Sequence, residues 1–183
     1  MKKVDRNWLK EHNACPDGLK WWCKHCEGKT TRQQLLILVK DHDDWAWWVL
    51  TKLLDTKQNR MLAVFAAQQV LPIFEKKFPE DMRPRKAIEA AEKVIECDNE
   101  ENRAAAWAAA KAAWAAAWAA TADDAAWAAG DAAARAAAAS DADWAAAWAA
   151  TAARDAGAAG TTSAMKMKIL RYGISLLHKG IPR

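Results

Sequence analysis

The chain of 183 residues has room for one compact domain, or one domain with an appended arm, and its seven Gly and five Pro are too few for a turn-rich β architecture. β-Branched residues are scarce after residue 100, so an all-α fold follows. The net charge of +4 is segregated: residues 1–40 carry nine Lys/Arg against four Asp/Glu, residues 161–183 carry five against none, and the stretch between is acidic. Such ends either fold back onto the middle or meet an anionic partner. No basic stripe is interleaved with aromatics in the way that tracks a nucleic-acid backbone, so nucleic acid is not an expected partner.

The opening Met1-Lys-Lys-Val-Asp-Arg-Asn-Trp8 holds no apolar run of the kind a signal peptide needs, and a cytoplasmic protein is expected, in the host cytoplasm if it is phage-encoded. The four Cys then read as thiols rather than as a disulfide framework. Residues 5–14 form a short amphipathic helix with Trp8 and Leu9 inward. Cys15-Pro-Asp-Gly18 reads as a turn, and Leu19, Trp21, Trp22 and Cys23 lie on a second short helix closed by Glu27-Gly28. His12, Cys15, Cys23 and Cys26 have the residue types for tetrahedral zinc. No second Cys-x-x-Cys supports Cys23-Lys-His-Cys26, and packing of the thiols as small apolar groups is the simpler reading, so no metal is assigned.

Thr30 or Thr31 caps a helix over 32–40 with Leu35, Leu36, Leu38 and Val39 in the core. Asp43 or Asp44 is the expected cap of an apolar helix over 45–54. The run 56–77 is a long helix whose buried face is Leu62, Phe65, Ala66, Val70, Ile73 and Phe74. Pro72 should kink or interrupt it, because proline has no N–H to donate. In Asp81-Met-Arg83-Pro84-Arg85-Lys86-Ala-Ile-Glu89, Pro84 suits the first helical position and places Arg83, Arg85 and Lys86 around a helix N-terminus. That end of a helix favours anions, so three cations there need another reason. Two are open: salt bridges to acids such as Glu80, Asp81, Asp43 or Asp44, or a bound phosphate or carboxylate.

From Ala104 to Gly160 the chain is almost wholly Ala, interrupted by Trp, Asp and a few other residues. Trp114-Ala-Ala-Ala-Trp118-Ala-Ala-Thr121-Ala recurs unchanged thirty positions on as Trp144-Ala-Ala-Ala-Trp148-Ala-Ala-Thr151-Ala, and both copies reach a glycine at the same offset, Gly130 and Gly160. One helical unit is used twice. Ala has the highest helix propensity because it gives up no side-chain entropy. Trp107, Lys111, Trp114, Trp118 and Thr121 share one helix face, as do Asp141, Trp144, Trp148, Thr151 and Asp155. Caps at Thr121-Ala-Asp-Asp124 and Ser140-Asp-Ala-Asp143 divide the tract into helices 101–120, 122–139 and 141–156, and a last helix spans 165–178. Ala beside each stripe lets two helices approach closely with indoles filling the space between them. Trp107, Trp114, Trp118, Trp127, Trp144 and Trp148 are thus expected in the core, and some of them can also line a slot for a flat ligand. Lys111, Asp123, Asp124, Asp131, Arg135, Asp141 and Asp143 break every window of about 20 apolar residues that a spanning helix needs, which excludes a membrane reading.

The whole is expected to be an all-α helical bundle. Residues 1–100 carry the Arg-Pro-Arg-Lys block, residues 101–183 form an Ala/Trp-rich region packed on it, and both belong to one compact domain. The sequence has no phosphate-cradling Gly-rich loop, no His-Glu-x-x-His and no nucleophile elbow, and its four His are scattered. A non-catalytic protein without a cofactor follows.

Several segments carry a resemblance. Asp44-Trp45-Ala-Trp47 opens a helix, Arg83-Pro84-Arg85-Lys86-Ala87-Ile88-Glu89 forms a distinctive block, the Ala tract is punctuated by aromatics and Asp, and Leu170-Arg171 with Ile181-Pro182 closes the chain. Together they resemble the immunity-protein-five-like group, small Ala-rich proteins frequent in phages and bacterial genomes. The resemblance implies a role in phage–bacterium conflict, anti-defence or immunity in type, and no catalytic residues. The chain departs from the group in placing Trp where relatives tend to have Tyr, Asp or His, and in its Cys23–Cys26 pair. Two binding functions are then open. One is sequestration of a small anionic nucleotide-like signal, with Trp107, Trp114, Trp118, Trp144 and Trp148 stacking the base and Arg83, Arg85 and Lys86 neutralising phosphate. The other is an immunity protein that blocks a toxin or host protein by helical contact. A homo-oligomer through Ala-rich helices is a third possibility.

Overall fold

The computed structural model describes residues 2–120, 123–138 and 162–178, and among them every regular element is an α-helix. The protein is an all-α bundle. Helix α1 (Arg6–Glu11) is capped by Asp5, whose side chain accepts from the Trp8 amide. Cys15-Pro-Asp-Gly18, expected as a turn, is instead the first turn of α2 (Pro16–His25). Pro16 takes a position where its missing N–H costs nothing, and Cys15 Sγ accepts from the Gly18 amide at 3.3 Å. Thr30 and Gln33 form a capping box at the start of α3 (Thr31–Asp41). Helix α4 (Asp43–Leu53) starts at His42 without a side-chain cap, so neither Asp43 nor Asp44 serves as one. Both acids lie in its first turn, where the helix dipole favours them, and His42 stacks on Trp45 with ring centroids 4.0 Å apart.

A second capping box, Asp55 with Gln58, opens α5 (Thr56–Lys77). This helix runs on through Pro72 and is not interrupted there; Val70, Leu71 and Phe74 are buried on either side and hold the backbone in place. Next come α6 (Arg83–Glu96), α7 (Glu100–Ala119) capped by Asn99, and α8 (Asp124–Ala137) capped by Asp123. The Lys77 ammonium at 2.9 Å from Asp123 holds that carboxyl below the usual range, and the Ala126 amide adds to the effect. The last described helix is α9 (Thr162–His178). The helix expected over 141–156, and with it the second copy of the repeat and Trp144 and Trp148, lies outside the described residues.

Helix α8 is the centre of the bundle and packs on α5, α6 and α7. Ala126, Ala128, Ala129, Gly130, Asp131, Ala132, Ala133, Ala134, Ala136 and Ala137 are all buried, so it is enclosed nearly all round. Only a helix of such small side chains can be crowded by three neighbours at close range. Helix α9 joins the two halves: it packs on α5 on one side and on α3 and α4 on the other. Gln58 Nε2 donates to the Leu176 carbonyl at 2.8 Å, Phe65 stacks on Tyr172 at 3.9 Å, and Lys166 Nζ meets Asp43 at 2.7 Å. The basic charge of α9 is thereby folded back onto an acid of the middle segment, one of the two arrangements that charge segregation left open.

Candidate functional site

The Arg-Pro-Arg-Lys block opens α6 with Arg83 and Pro84 in its first two positions. Arg83 turns back onto Asp81, its Nε donating to Oδ1 at 2.9 Å and its Nη2 to Oδ2 at 2.6 Å. The Arg83 guanidinium holds the Asp81 carboxyl below the usual carboxylate range, and the Arg83 amide bonds the same carboxylate at 3.1 Å. That carboxylate sits at a helix N-terminus, so it supplies the sign the dipole favours and the arginine is drawn in behind it. Arg85 grips Glu75 of α5 with the same fork, Nε to Oε1 at 2.7 Å and Nη2 to Oε2 at 2.8 Å. Lys86 is exposed. Arg83 and Arg85 are thus engaged in ion pairs, with Asp81 and Glu75 as partners rather than Glu80, Asp43 or Asp44.

The indoles of α7 are not where close Ala packing was expected to put them. Ala106, Ala110, Ala113, Ala116 and Ala117 are the buried stripe. Trp107 and Trp118 are 47% and 69% exposed, which corrects the reading of all these Trp as core. The reason is steric. A Cβ added to Gly130 of α8 would lie 3.0 Å from the Ala117 Cβ and 3.2 Å from its Cα, so α7 and α8 meet almost backbone to backbone and leave no room for a ring. The large side chains are displaced to the rims. Trp114 packs on the core edge, 5.8 Å edge-to-face from Trp107, and Trp127 is likewise half-buried.

Two hollows flank this face. One, of about 270 Å³, is lined by Trp114, Ala117, Trp118, Trp127, Asp131 and Arg135. Buried Asp131 accepts from Arg135 Nε at 2.6 Å within it. The other, of about 130 Å³, lies where α5, α6, α7 and α8 meet, with Arg60, Arg103 and Trp107 in its wall. Neither is lined by Arg83, Arg85 or Lys86, so the arginines that meet the indoles are Arg60, Arg103 and Arg135. Sequence reading missed all three. Arg60 and Arg135 sit in helices where an arginine ordinarily reads as a solvated face, and nothing local marks them as turned inward.

A third hollow, of about 350 Å³, lies between α1, α2 and α4, with Trp22, Trp45 and Trp48 in its wall. Sequence reading looked here for a metal instead. His12 Nδ1 bonds the Trp8 carbonyl at 2.8 Å while its ring stacks on Trp8. Cys23 Sγ accepts from Arg6, Cys15 caps α2, and Cys26 is fully buried with its thiol pushed up by burial. Among the described residues no group of three His, Cys, Asp or Glu is gathered as metal ligands would be. Among them, too, no helix is long and apolar enough to cross a membrane.

The solvent face of α7 is therefore the feature that distinguishes this surface. Beyond the charged first turn of Glu100, Glu101 and Arg103, the residues Ala104, Ala105, Trp107, Ala108, Lys111, Ala115, Trp118 and Ala119 are all exposed there, with one charge among them. Surface helices ordinarily carry charged and polar groups outward. Comparison with known proteins matches residues 52–173, which include this face, to a family model described as Imm-5 like putative immunity protein. No curated protein and no solved structure matches the chain.

Proposed function

Because the chain belongs to the Imm-5 like putative immunity protein family, we propose that it is a non-catalytic immunity protein that neutralises a toxin protein by covering it with the Ala/Trp face of α7. One observation carries the reading: Trp107 and Trp118 stand 47% and 69% exposed on a face whose one charge from residue 104 onward is Lys111. Water-exposed indoles on a sparsely charged helix face are the residue type and setting of interface hot spots, where truncation costs about 2 kcal/mol or more. Flanking alanines let a partner surface come close, and Lys111 with Arg103 supplies a cationic rim suited to an acidic partner.

The test is capture of a toxic protein by the purified chain, then co-expression of the two, reading cell growth and complex formation by size exclusion. The wild-type chain is expected to restore growth and co-elute with the toxin. Trp118→Ala is expected to weaken the complex by roughly 30-fold, as a hot spot does. Its melting temperature should stay within about 0.5 kcal/mol equivalent of wild type, because the ring packs mostly against solvent. The hollow between Trp114, Trp118 and Trp127 supports the second reading, sequestration of an anionic nucleotide-like ligand. Heat stabilisation by cyclic dinucleotides or ADP-ribose derivatives, with no toxin captured, would put that reading first.

A further inference from the structure

At the meeting point of α5, α6, α7 and α8, one arginine has polar capacity that the fold does not use. Arg60 is 8% exposed. Its Nη1 donates to Asp98 Oδ2 at 2.5 Å, while its Nε is buried without a hydrogen-bond partner. A buried N–H left unpaired is costly, and native structures rarely keep one for no purpose. Arg103 Nη1 takes the other oxygen of the same carboxylate at 2.8 Å, so two guanidinium groups face one acid and a net positive charge remains. The rest of the wall is apolar: Ala91, Val94, Ala106, Ala136 and Ala137, with half-exposed Trp107 at the mouth.

Size narrows the ligand. The cavity measures about 130 Å³, and an apolar cavity of about 150 Å³ takes up a single benzene ring. Drug-sized and nucleotide-sized ligands occupy roughly 300–1,000 Å³. A nucleotide is thus too large, whereas a single ring comes near the cavity's volume and an anionic group on it matches the charge.

We propose that this cavity binds a small ring-sized carboxylate, its anionic oxygens on the guanidinium groups of Arg60 and Arg103, its apolar body among the alanines and its open edge against Trp107. The proposal does not rest on the toxin-docking function and needs no protein partner, although Arg103 and Trp107 border both sites.

The experiment titrates sodium benzoate into the full chain, following tryptophan fluorescence and the ¹⁵N resonance of the Arg60 Nε–Hε group. Saturable changes in both are expected. Asp98→Asn removes a competing carboxylate and should tighten binding roughly twofold to fivefold, the worth of one half-exposed charge pair. Ala137→Leu fills the cavity and should abolish binding; if that variant does not fold, Trp107→Ala at the exposed mouth decides, with weaker binding expected and unchanged binding overturning the proposal. It is equally overturned if benzoate does not saturate, if toluene binds as well as benzoate, or if inorganic phosphate moves the Arg60 resonance to the same extent. Failure of benzoate binding leaves toxin rescue unaffected, and failure of rescue leaves benzoate binding unaffected.

Discussion

At Asp98 two guanidinium groups converge on one half-exposed carboxylate, and the hydrogen bond from Arg60, then that from Arg103, holds its carboxyl below the usual range. A carboxyl whose native pKa lies below its unfolded value contributes stability above the unfolded pKa of about 3.9 and loses it as pH falls through the lower native value. Asp98→Asn is therefore expected to destabilise by about 1 kcal/mol at neutral pH, with the gap closing below about pH 4. Denaturant melts at several pH values check this; a gap that persists undiminished in strong acid would mean that packing, not charge, accounts for the loss. The cysteines give a second residue-scale test. Cys15 and Cys97 are exposed, whereas Cys26 is fully buried with its thiol pushed up by that burial. Iodoacetamide at neutral pH should modify Cys15 and Cys97 first and reach Cys26 only on unfolding, as mass spectrometry of the peptides would read.

Between elements, the contact of α7 with α8 is decided by Gly130. An alanine there gains about 1 kcal/mol of helix propensity. Its Cβ would sit 3.0 Å from the Ala117 Cβ and 3.2 Å from the Ala117 backbone, which can yield only if the helices part. Overpacking of this kind costs about 1–3 kcal/mol, so Gly130→Ala should be net destabilising, by up to about 2 kcal/mol, and thermal unfolding measures it. The same contact explains what the sequence could and could not disclose. Helix existence followed from Ala propensity and apolar spacing, and some starts from caps such as Thr30 and Asp123, whereas Asp55 and Asn99, which cap α5 and α7, were not singled out. The direction of α7 did not. A stripe of Trp and a stripe of Ala both run along it at helical spacing, and periodicity cannot say which faces inward. Hydrophobicity favours the indoles, but the close approach at Gly130 selects the alanines, and that approach is a property of two helices together. Cys15-Pro-Asp-Gly18 misled for a related reason, since proline and glycine mark a turn and a first helical turn alike.

Across the whole molecule, the arginines that face the Trp surface come from far apart in sequence: Arg60 from α5, Arg103 from α7 and Arg135 from α8. The block for which salt bridges and a bound anion were both open has Arg83 and Arg85 engaged by Asp81 and Glu75. Clustering in sequence made that block conspicuous, while convergence in space depends on how α8 is enclosed. The same dependence governs how the N-terminal helices stay attached, because α9 packs on α3 and α4 as well as on α5. Gly173 is the point of closest approach: an added Cβ would lie 2.6 Å from Leu50 Cδ2, and Leu50 is fully buried. For Gly173→Ala only the tip of a flexible side chain has to move, and the gain of about 1 kcal/mol in helix propensity offsets much of that cost. Gly173→Leu adds three more carbons with nowhere to go and should cost about 1–3 kcal/mol by wedging α9 away from α4. If α9 is the joint, the loss will be uneven. Amide exchange should accelerate through α3 and α4, while the α7 and α8 amides, held by the Ala–Gly contact and by α5 and α6, stay protected. Uniform acceleration across all helices would show instead that the bundle unfolds as one unit and that α9 is only one contact among many.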